Sequence, residues 1–81
     1  MYDELKTAPK AIGAKQAAKA VEKGLAVKVY LASDADQRII SPIAELCQRH
    51  HVPVERQATV AELGKSCGID VGAAAVAVLN N

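Results

Sequence analysis

The apolar residues of this chain recur with helical spacing in some segments and close to alternation in others. Positions 39–47 carry an i, i+3, i+4, i+7 apolar stripe, which is the pattern of an amphipathic helix. The segment AVKVYLA at 26–32 alternates in part and is rich in residues that favour strands. The same reasoning along the whole chain predicts helices at 3–8, at 14–23, from about 37 and at 60–67, and strands at 10–12, 26–32, 52–57 and 73–79.

Capping residues support the predicted boundaries. Thr59 with Glu62 three residues later has the pattern of a capping box, and Gly68 is suited to end the helix that follows. The segment 33–36 (SDAD) predicts a turn and an N-cap, because hydroxyl and carboxylate oxygens accept from the free amides of the next helix. Pro42 is tolerable inside that helix if it lies in the first turns.

The last predicted strand is ambiguous on local propensity, because its sequence is AAAVAVL and alanine favours helices. The run is short and follows a glycine-framed loop, which suits a buried central strand of small residues. Helices that alternate with strands predict an α/β fold, here a single-domain α/β/α three-layer sandwich with a four-stranded mixed sheet over residues 1–81.

Composition narrows the kind of partner. The chain has no Trp or Phe, and its only aromatic residues are Tyr2 and Tyr30. A surface that binds single-stranded nucleic acid stacks bases on aromatic rings, so such a surface is not expected here. Any nucleic acid bound by this chain is expected to be folded and recognised by its shape and base edges.

Charge is informative only in its distribution, since the net charge is +1. Six lysines fall in the first third of the chain, at 6, 10, 15, 19, 23 and 28. A lysine ladder is commonly just a solvated helix face. The start of this helix favours a functional interpretation, because Gly13 is followed by Lys15 and Gln16, and a helix N-terminus with polar donors suits phosphates and base edges.

Metal binding and catalysis have little support in the sequence. Cys47, His50 and His51 lie close together on one predicted helix, a weak zinc signal for which buried or helix-end positions are the better interpretation. Cys47 and Cys67 form no CxxC motif, as expected of a reduced intracellular protein. We expect no metal, no cofactor and no enzyme activity. No apolar run suits a signal peptide or a membrane span, so we expect a cytoplasmic protein.

Four segments of the chain carry a resemblance to a known family. They are IGAKQAAKAVEKG at 12–24, VYLASDAD at 29–36, HHVPV at 50–54 and ELGKSCGIDVGAAAVAV at 62–78. Each segment alone is moderately specific, whereas the ordered set covers nearly the whole chain. In this order the segments resemble the kink-turn-binding ribosomal protein superfamily, which includes archaeal large-subunit proteins, the eukaryotic large-subunit protein thirty and small bacterial homologues. The chain is most similar to the small bacterial members.

The resemblance implies recognition of a kink-turn, an RNA duplex bent at a bulge that is followed by tandem sheared G·A pairs. In the family, a Gly-x-Asn-Glu helix start enters the widened major groove and contacts those guanines. Gly13 and Ala14 match its first two positions, and Lys15 and Gln16 replace the Asn and the Glu. Lys19 matches the family's helix lysine.

This departure changes the chemistry of the helix start. A sheared pair leaves guanine O6 and N7 free as acceptors, to which Lys15 and Lys19 can donate. The amide oxygen of Gln16 can accept from a guanine N–H, as a carboxylate does. Charge-assisted hydrogen bonds are roughly twice as strong as neutral ones, so the missing Glu affects affinity more than the type of ligand.

Two further parts of the chain match RNA contacts of the family. Ile69, Asp70 and Val71 occupy the loop that covers unstacked or bulged nucleotides. From the sequence alone, the two apolar side chains of this loop are equally consistent with contacting RNA and with packing under the sheet. Asp36 and Ile40 match positions that line the pocket for the flipped-out nucleotide, although a plain N-cap explains Asp36 as well.

The expected function is therefore non-catalytic recognition and stabilisation of kink-turns in ribosomal or riboswitch RNA. The expected partner is a structured RNA, with the ribosome as a further candidate, with no membrane and with a monomer as the default. A protein-interaction module of the same fold is the alternative, since fold does not fix function. Near-neutral charge and the Lys15-Gln16 pair favour that alternative.

Overall fold

Helices and strands alternate along the chain in the computed structural model, which describes residues 4–80. The predicted order of elements is confirmed, and Asp3, expected in the first helix, lies outside the described residues. The elements are α1 (Glu4–Thr7), β1 (Lys10–Ile12), α2 (Ala14–Glu22), β2 (Ala26–Leu31), α3 (Gln37–Arg49), β3 (Val54–Glu55), α4 (Val60–Cys67) and β4 (Ala75–Leu79).

The strands form one mixed sheet in the order β1-β4-β2-β3. β4 is antiparallel to both β1 and β2, and β3 is parallel to β2. β4 therefore lies inside the sheet and is buried along nearly its whole length, as predicted for a central strand of small residues.

The side chains of β4 alternate between two apolar cores, one on each face of the sheet. Ala75 and Ala77 face the core that α2 and α3 cover, and Val76 and Val78 face the core that α1 and α4 cover. The first core contains Ala17, Ala20, Val21, Val29, Leu31, Ile40, Ile43 and Cys47, and the second contains Leu5, Tyr30, Ala32, Ala58, Leu63 and Ala73. The α/β/α three-layer prediction is confirmed.

β3 is shorter than the predicted strand at 52–57, because its ladder includes only Val54 and Glu55. Pro53 has no amide to donate, and its contribution is a carbonyl that accepts from the Val29 amide at 3.0 Å. Beyond Glu55 the chain turns towards the segment after β2, where the Ala58 carbonyl accepts from the Ser33 amide at 2.8 Å.

Several loops and helix starts meet at one side of the sheet, where its strands begin or end. Ile12 pairs with Val76 and Leu31 pairs with Ala75, so β1 and β2 both end where β4 begins. Because β3 is parallel to β2, it ends at the same side, and α2, α3 and α4 all begin there. We call this side the loop edge; it consists of residues 12–16, 32–38, 56–60 and 68–74.

Candidate nucleic-acid interface

The N-terminus of α2 is held against the sheet by Gly13. The Gly13 amide donates to the Ala75 carbonyl at 2.8 Å, and its own carbonyl accepts the first helical bond from Ala17 at 2.8 Å. Gly13 has φ 106°, a conformation that glycine adopts at little cost. It supplies no side-chain cap, so the amides of residues 14–16 precede the first intrahelical bond and are not capped.

The N-terminus of α4 is capped by side-chain acceptors of the protein itself. Thr59 Oγ1 accepts from the Glu62 amide at 3.1 Å and Glu62 Oε1 accepts from the Thr59 amide at 2.9 Å, which confirms the capping box. Asp34, from the segment after β2, adds a third acceptor, since its Oδ1 accepts from the Val60 amide at 2.7 Å. Asp34 thus caps α4 across the loop edge and not the helix that follows it in sequence.

The N-terminus of α3 is capped by Asp36, as predicted. Its Oδ1 accepts from the Arg38 amide at 2.9 Å, and the Arg38 guanidinium approaches both carboxylate oxygens, with Nη2–Oδ2 at 2.8 Å. The side-chain bond from Arg38, together with its backbone amide, lowers the pKa of Asp36. The Asp36 carboxylate therefore already has partners on α3.

Among the helices that begin at the loop edge within residues 4–80, α2 is the one whose first amides face no side-chain acceptor. The aligned peptide dipoles give a helix N-terminus a partial positive charge, which attracts anions. The start of α2 is consequently a site where an external acceptor can satisfy free donors, whereas side chains of the protein already cap α3 and α4.

Polar side chains surround that start. Lys15, Gln16 and Lys19 are all exposed, while Ala17 and Val21 point into the first core. The predicted helix-start residues are therefore brought together on the outward side of α2, at the end that carries the free amides. Ala14 is half-buried and packs against the first core, so its contribution to a surface is its backbone amide.

The loop before β4 exposes one apolar side chain and partly buries another. Val71 is 70% exposed and Asp70 is exposed, whereas Ile69 is half-buried and packs against the second core. The sequence left open whether these two apolar side chains are exposed or packed under the sheet. Val71 is exposed, and Ile69 packs against the second core. An isolated valine of this exposure at the loop edge is suited to contact an apolar face of a ligand.

Two glycines hold this loop against α4. A Cβ at Gly64 would lie 2.2 Å from the Val71 carbonyl oxygen, and a Cβ at Gly72 would lie 2.2 Å from Val60 Cγ1. The Ala73 amide donates to the Val60 carbonyl at 3.1 Å, which fixes the same contact. Sequence reasoning missed Gly64; its signal was a glycine in the middle of an otherwise favourable helix.

Ile40 has a different position from the one that the resemblance implied. Its side chain is 2% exposed and belongs to the first core, so protein atoms cover it. A nucleotide at the loop edge would meet the surface above Ile40 and not its side chain. Asp36, by contrast, is exposed and lies at the loop edge.

Lys28 is engaged elsewhere in the molecule. Its Nζ lies 3.3 Å from Glu4 Oε1 and 4.8 Å from the centre of the Tyr30 ring, and the Tyr30 hydroxyl donates to the same carboxylate. The hydrogen bond from Tyr30 lowers the pKa of Glu4, and burial raises the pKa of Tyr30. This cluster ties α1 to β2, so the first-third lysines do not all form one surface.

The weak zinc signal has no geometric support in the part of the chain that the structure describes. Cys47 is fully buried in the first core, whereas His50 and His51 are exposed. Burial raises the pKa of the Cys47 thiol, which disfavours the thiolate that binds metals. Across residues 4–80 no three His, Cys, Asp or Glu side chains are arranged to hold a metal, and no helix is long and apolar enough to cross a bilayer.

Comparison with solved structures identifies the same architecture in other proteins. The structure is similar to that of a Giardia lamblia 15.5kD RNA binding protein, with a TM-score of 0.83 and 27% identity, over 89% of this chain and 61% of that one. It is also similar to that of a Bacillus halodurans protein of unknown function, with a TM-score of 0.81 and 25% identity, over 88% of this chain and 71% of that one.

Sequence relatives of closely similar length carry RNA-binding names. The chain is 40% identical over 79 residues to RNA-binding protein GWCH70_0105 of Geobacillus sp. (strain WCH70), covering 96% of each chain. It is 44% identical over 68 residues to RNA-binding protein YbxF of Geobacillus stearothermophilus, covering 84% of this chain and 83% of that one. The profile of one family matches residues 2–81, which is almost the whole sequence. The chain belongs to the ribosomal protein L7Ae/L30e/S12e/Gadd45 family.

Proposed function

We propose that this protein is a non-catalytic RNA-binding protein that recognises kink-turns and stabilises their bent form. The observation that carries the proposal is the uncapped N-terminus of α2, flanked by the exposed side chains of Lys15, Gln16 and Lys19. Membership of a ribosomal protein family and the RNA-binding names of the relatives support an RNA ligand.

The proposed contact begins with α2 entering the widened major groove beside the bulge. The free amides of residues 14–16 and the dipole of α2 favour electronegative atoms there. Lys15 and Lys19 donate to O6 and N7 of the sheared guanines, and the Gln16 amide oxygen accepts from a guanine N–H. The side chains of Lys15, Gln16 and Lys19 are exposed.

The loop before β4 supplies a second contact. Val71 projects from the loop edge and packs on an unstacked nucleotide, while Ile69 anchors the loop in the second core. Asp70 and Asp36 are the polar groups on either side of the surface on which the bulged nucleotide rests. Because such a surface fits only the kinked RNA, binding shifts the RNA towards the kinked form by the difference between its affinities for the two forms.

A protein-interaction role is the second candidate, and one observation favours it. An open groove of about 490 Å³ lies between α3 and β3. Most of its lining side chains are polar, and Val52 and Val54 are among the apolar ones. The groove carries both signs of charge, from Glu45 and Arg56, and none of its lining residues belongs to α2. A protein bound there would leave the free amides of α2 unexplained, so we prefer the RNA-binding proposal.

The proposal is tested by two lysine substitutions on the same helix. Lys15→Ala is expected to weaken binding to a kink-turn duplex by about 1–3 kcal/mol, the usual scale of a base contact. Lys23→Ala removes the same charge at the far end of α2, where no base contact is proposed, and should act mildly through the salt dependence of binding. Equal and small effects of both substitutions, measured by titration, would contradict base recognition by the start of α2.

A further inference from the structure

Arg38 is a cation of the loop edge to which the proposed contacts assign no role. It is the second residue of α3, and 90% of its side chain is exposed. Two contacts to Asp36 orient it, since Nε and Nη2 both face the carboxylate, with the shortest distance at 2.8 Å. A guanidinium carries five N–H donors, so several still point into solvent.

The position of Arg38 relative to α2 gives it a target. α2 and α3 pack side by side on one face of the sheet and both begin at the loop edge. Packed helices lie about 8–10 Å apart, and a helix with its side chains is about 10–12 Å across. A groove that is widened enough to receive α2 therefore has a sugar-phosphate backbone on each side of that helix, and the backbone on the α3 side lies over the start of α3.

The charges around Arg38 show why a cation is needed there. Asp34 and Asp36 lie in the segment between β2 and α3, and without Arg38 residues 32–38 would present only negative charge to that backbone. Asp34 is occupied by the Val60 amide, and Arg38 pairs with Asp36. The ion pair thus removes the repulsion from one carboxylate and holds the guanidinium in an oriented, exposed position.

We propose that Arg38 binds a phosphate of the RNA strand that runs over the start of α3, and that with α2 it sets the orientation of the RNA on the loop edge. The inference rests on the proposed kink-turn function and adds a contact to it. Arginine suits this task because its planar fork matches the oxygens of a phosphate while it keeps its contact with Asp36.

The test compares Arg38→Ala with Arg49→Ala, since Arg49 is an exposed arginine at the opposite end of the same helix. Both remove one positive charge, and Arg38→Ala keeps the N-cap because Asp36 accepts from the backbone amide of residue 38. Arg38→Ala should weaken kink-turn binding roughly tenfold and reduce the slope of log K against log salt by about 1. Arg49→Ala should leave both unchanged.

A second pair of variants separates a direct contact from simple neutralisation of Asp36. The effect of Arg38→Ala is measured again in an Asp36→Asn background, where asparagine still caps α3. A phosphate contact gives a similar loss in both backgrounds. If Arg38→Ala weakens RNA binding only when the Asp36 carboxylate is present, the phosphate contact is overturned. Equal effects of Arg38→Ala and Arg49→Ala would overturn it as well.

The wild-type protein in the same titrations distinguishes the two proposals. It is measured against the kink-turn duplex and against a twin whose G·A pairs are replaced by Watson–Crick pairs. If the wild-type protein discriminates between the duplexes and Arg38→Ala does not change the affinity, only the phosphate contact is overturned. Failure of the wild-type protein to discriminate overturns the kink-turn function, and the role of Arg38 falls with it.

Discussion

Gln16 is the residue at which this chain differs most in chemistry from the helix start that it resembles. The family has a Glu at this position, whereas here a neutral amide lies in the first turn of α2, exposed and beside uncapped amides. Gln16 is proposed to accept from a guanine N–H, which a carboxylate does more strongly. The electrostatic repulsion between a carboxylate and phosphates opposes that gain, so the sign of a substitution is informative.

We predict that Gln16→Glu tightens binding to a kink-turn by about 1 kcal/mol, the difference between a charge-assisted and a neutral hydrogen bond. It should also stabilise the folded protein slightly, because an acidic residue in the first turn complements the helix dipole. Competitive titration against the kink-turn duplex measures the first effect.

Gln48→Glu is the matched control, since Gln48 is an exposed glutamine near the C-terminal end of α3. It adds the same negative charge away from the loop edge and should leave specific binding nearly unchanged or slightly weaker. Weaker kink-turn binding by Gln16→Glu than by Gln48→Glu would contradict the acceptor role of Gln16.

Single residues were predictable where their partners are close in sequence. Thr59 and Glu62 form the expected capping box, and Asp36 caps the helix that it precedes. The segment 33–36 was expected to form a turn and to cap the next helix, but the partner of Asp34 is the Val60 amide, 26 residues away. Ile40 fits a surface motif and a core stripe equally well, and only the packed structure shows that it is buried.

Among the secondary-structure elements, the capping of the helix starts distinguishes the site. α3 and α4 use side-chain acceptors at their first amides, and α2 uses a glycine that binds β4 through its backbone. The sequence showed Gly13 before α2 and acidic residues before α3. It could not show that the three helices begin at one edge, because the pairing of β4 between β1 and β2 determines that arrangement.

At the scale of secondary-structure elements, the contact between α4 and the loop at 68–72 can be tested by substitution. Gly64→Ala would place a methyl group 2.2 Å from the Val71 carbonyl oxygen, so the loop backbone must move. Alanine favours a helix by about 1 kcal/mol over glycine, and steric overpacking typically costs about 1–3 kcal/mol. Because the clash is with backbone atoms, we expect a cost near the upper end of that range and hence a net loss of stability of about 1–2 kcal/mol. RNA binding should weaken because Val71 is displaced. Urea denaturation and titration of the folded variant measure the two effects.

Lys65→Ala is the control for this substitution, because Lys65 is the next residue of α4 and is exposed. It should change the free energy of unfolding by less than about 0.5 kcal/mol. A variant Gly64→Ala as stable as the wild-type protein would show that the loop is not held by its contact with α4.

The whole molecule combines a near-neutral charge with one specialised edge. A net charge of +1 gives little general attraction for nucleic acid. The scaffold was predictable because alternating helices and strands leave few architectures that bury both faces of a sheet. The placement of the start of α2 and that of Val71 follow from tertiary contacts, namely the Gly13–Ala75 hydrogen bond and the approach of Gly64 to Val71.

A protein of this charge should depend on shape and base contacts for its affinity, so specificity is its central property. The most direct measurement is a titration of the wild-type protein, at physiological salt, against a kink-turn duplex and its twin with Watson–Crick pairs in place of the tandem G·A pairs. We predict tight binding to the first and at least ~1,000-fold weaker binding to the second, a ratio typical of specific recognition. Equal, weak and salt-sensitive binding to both duplexes would contradict kink-turn recognition.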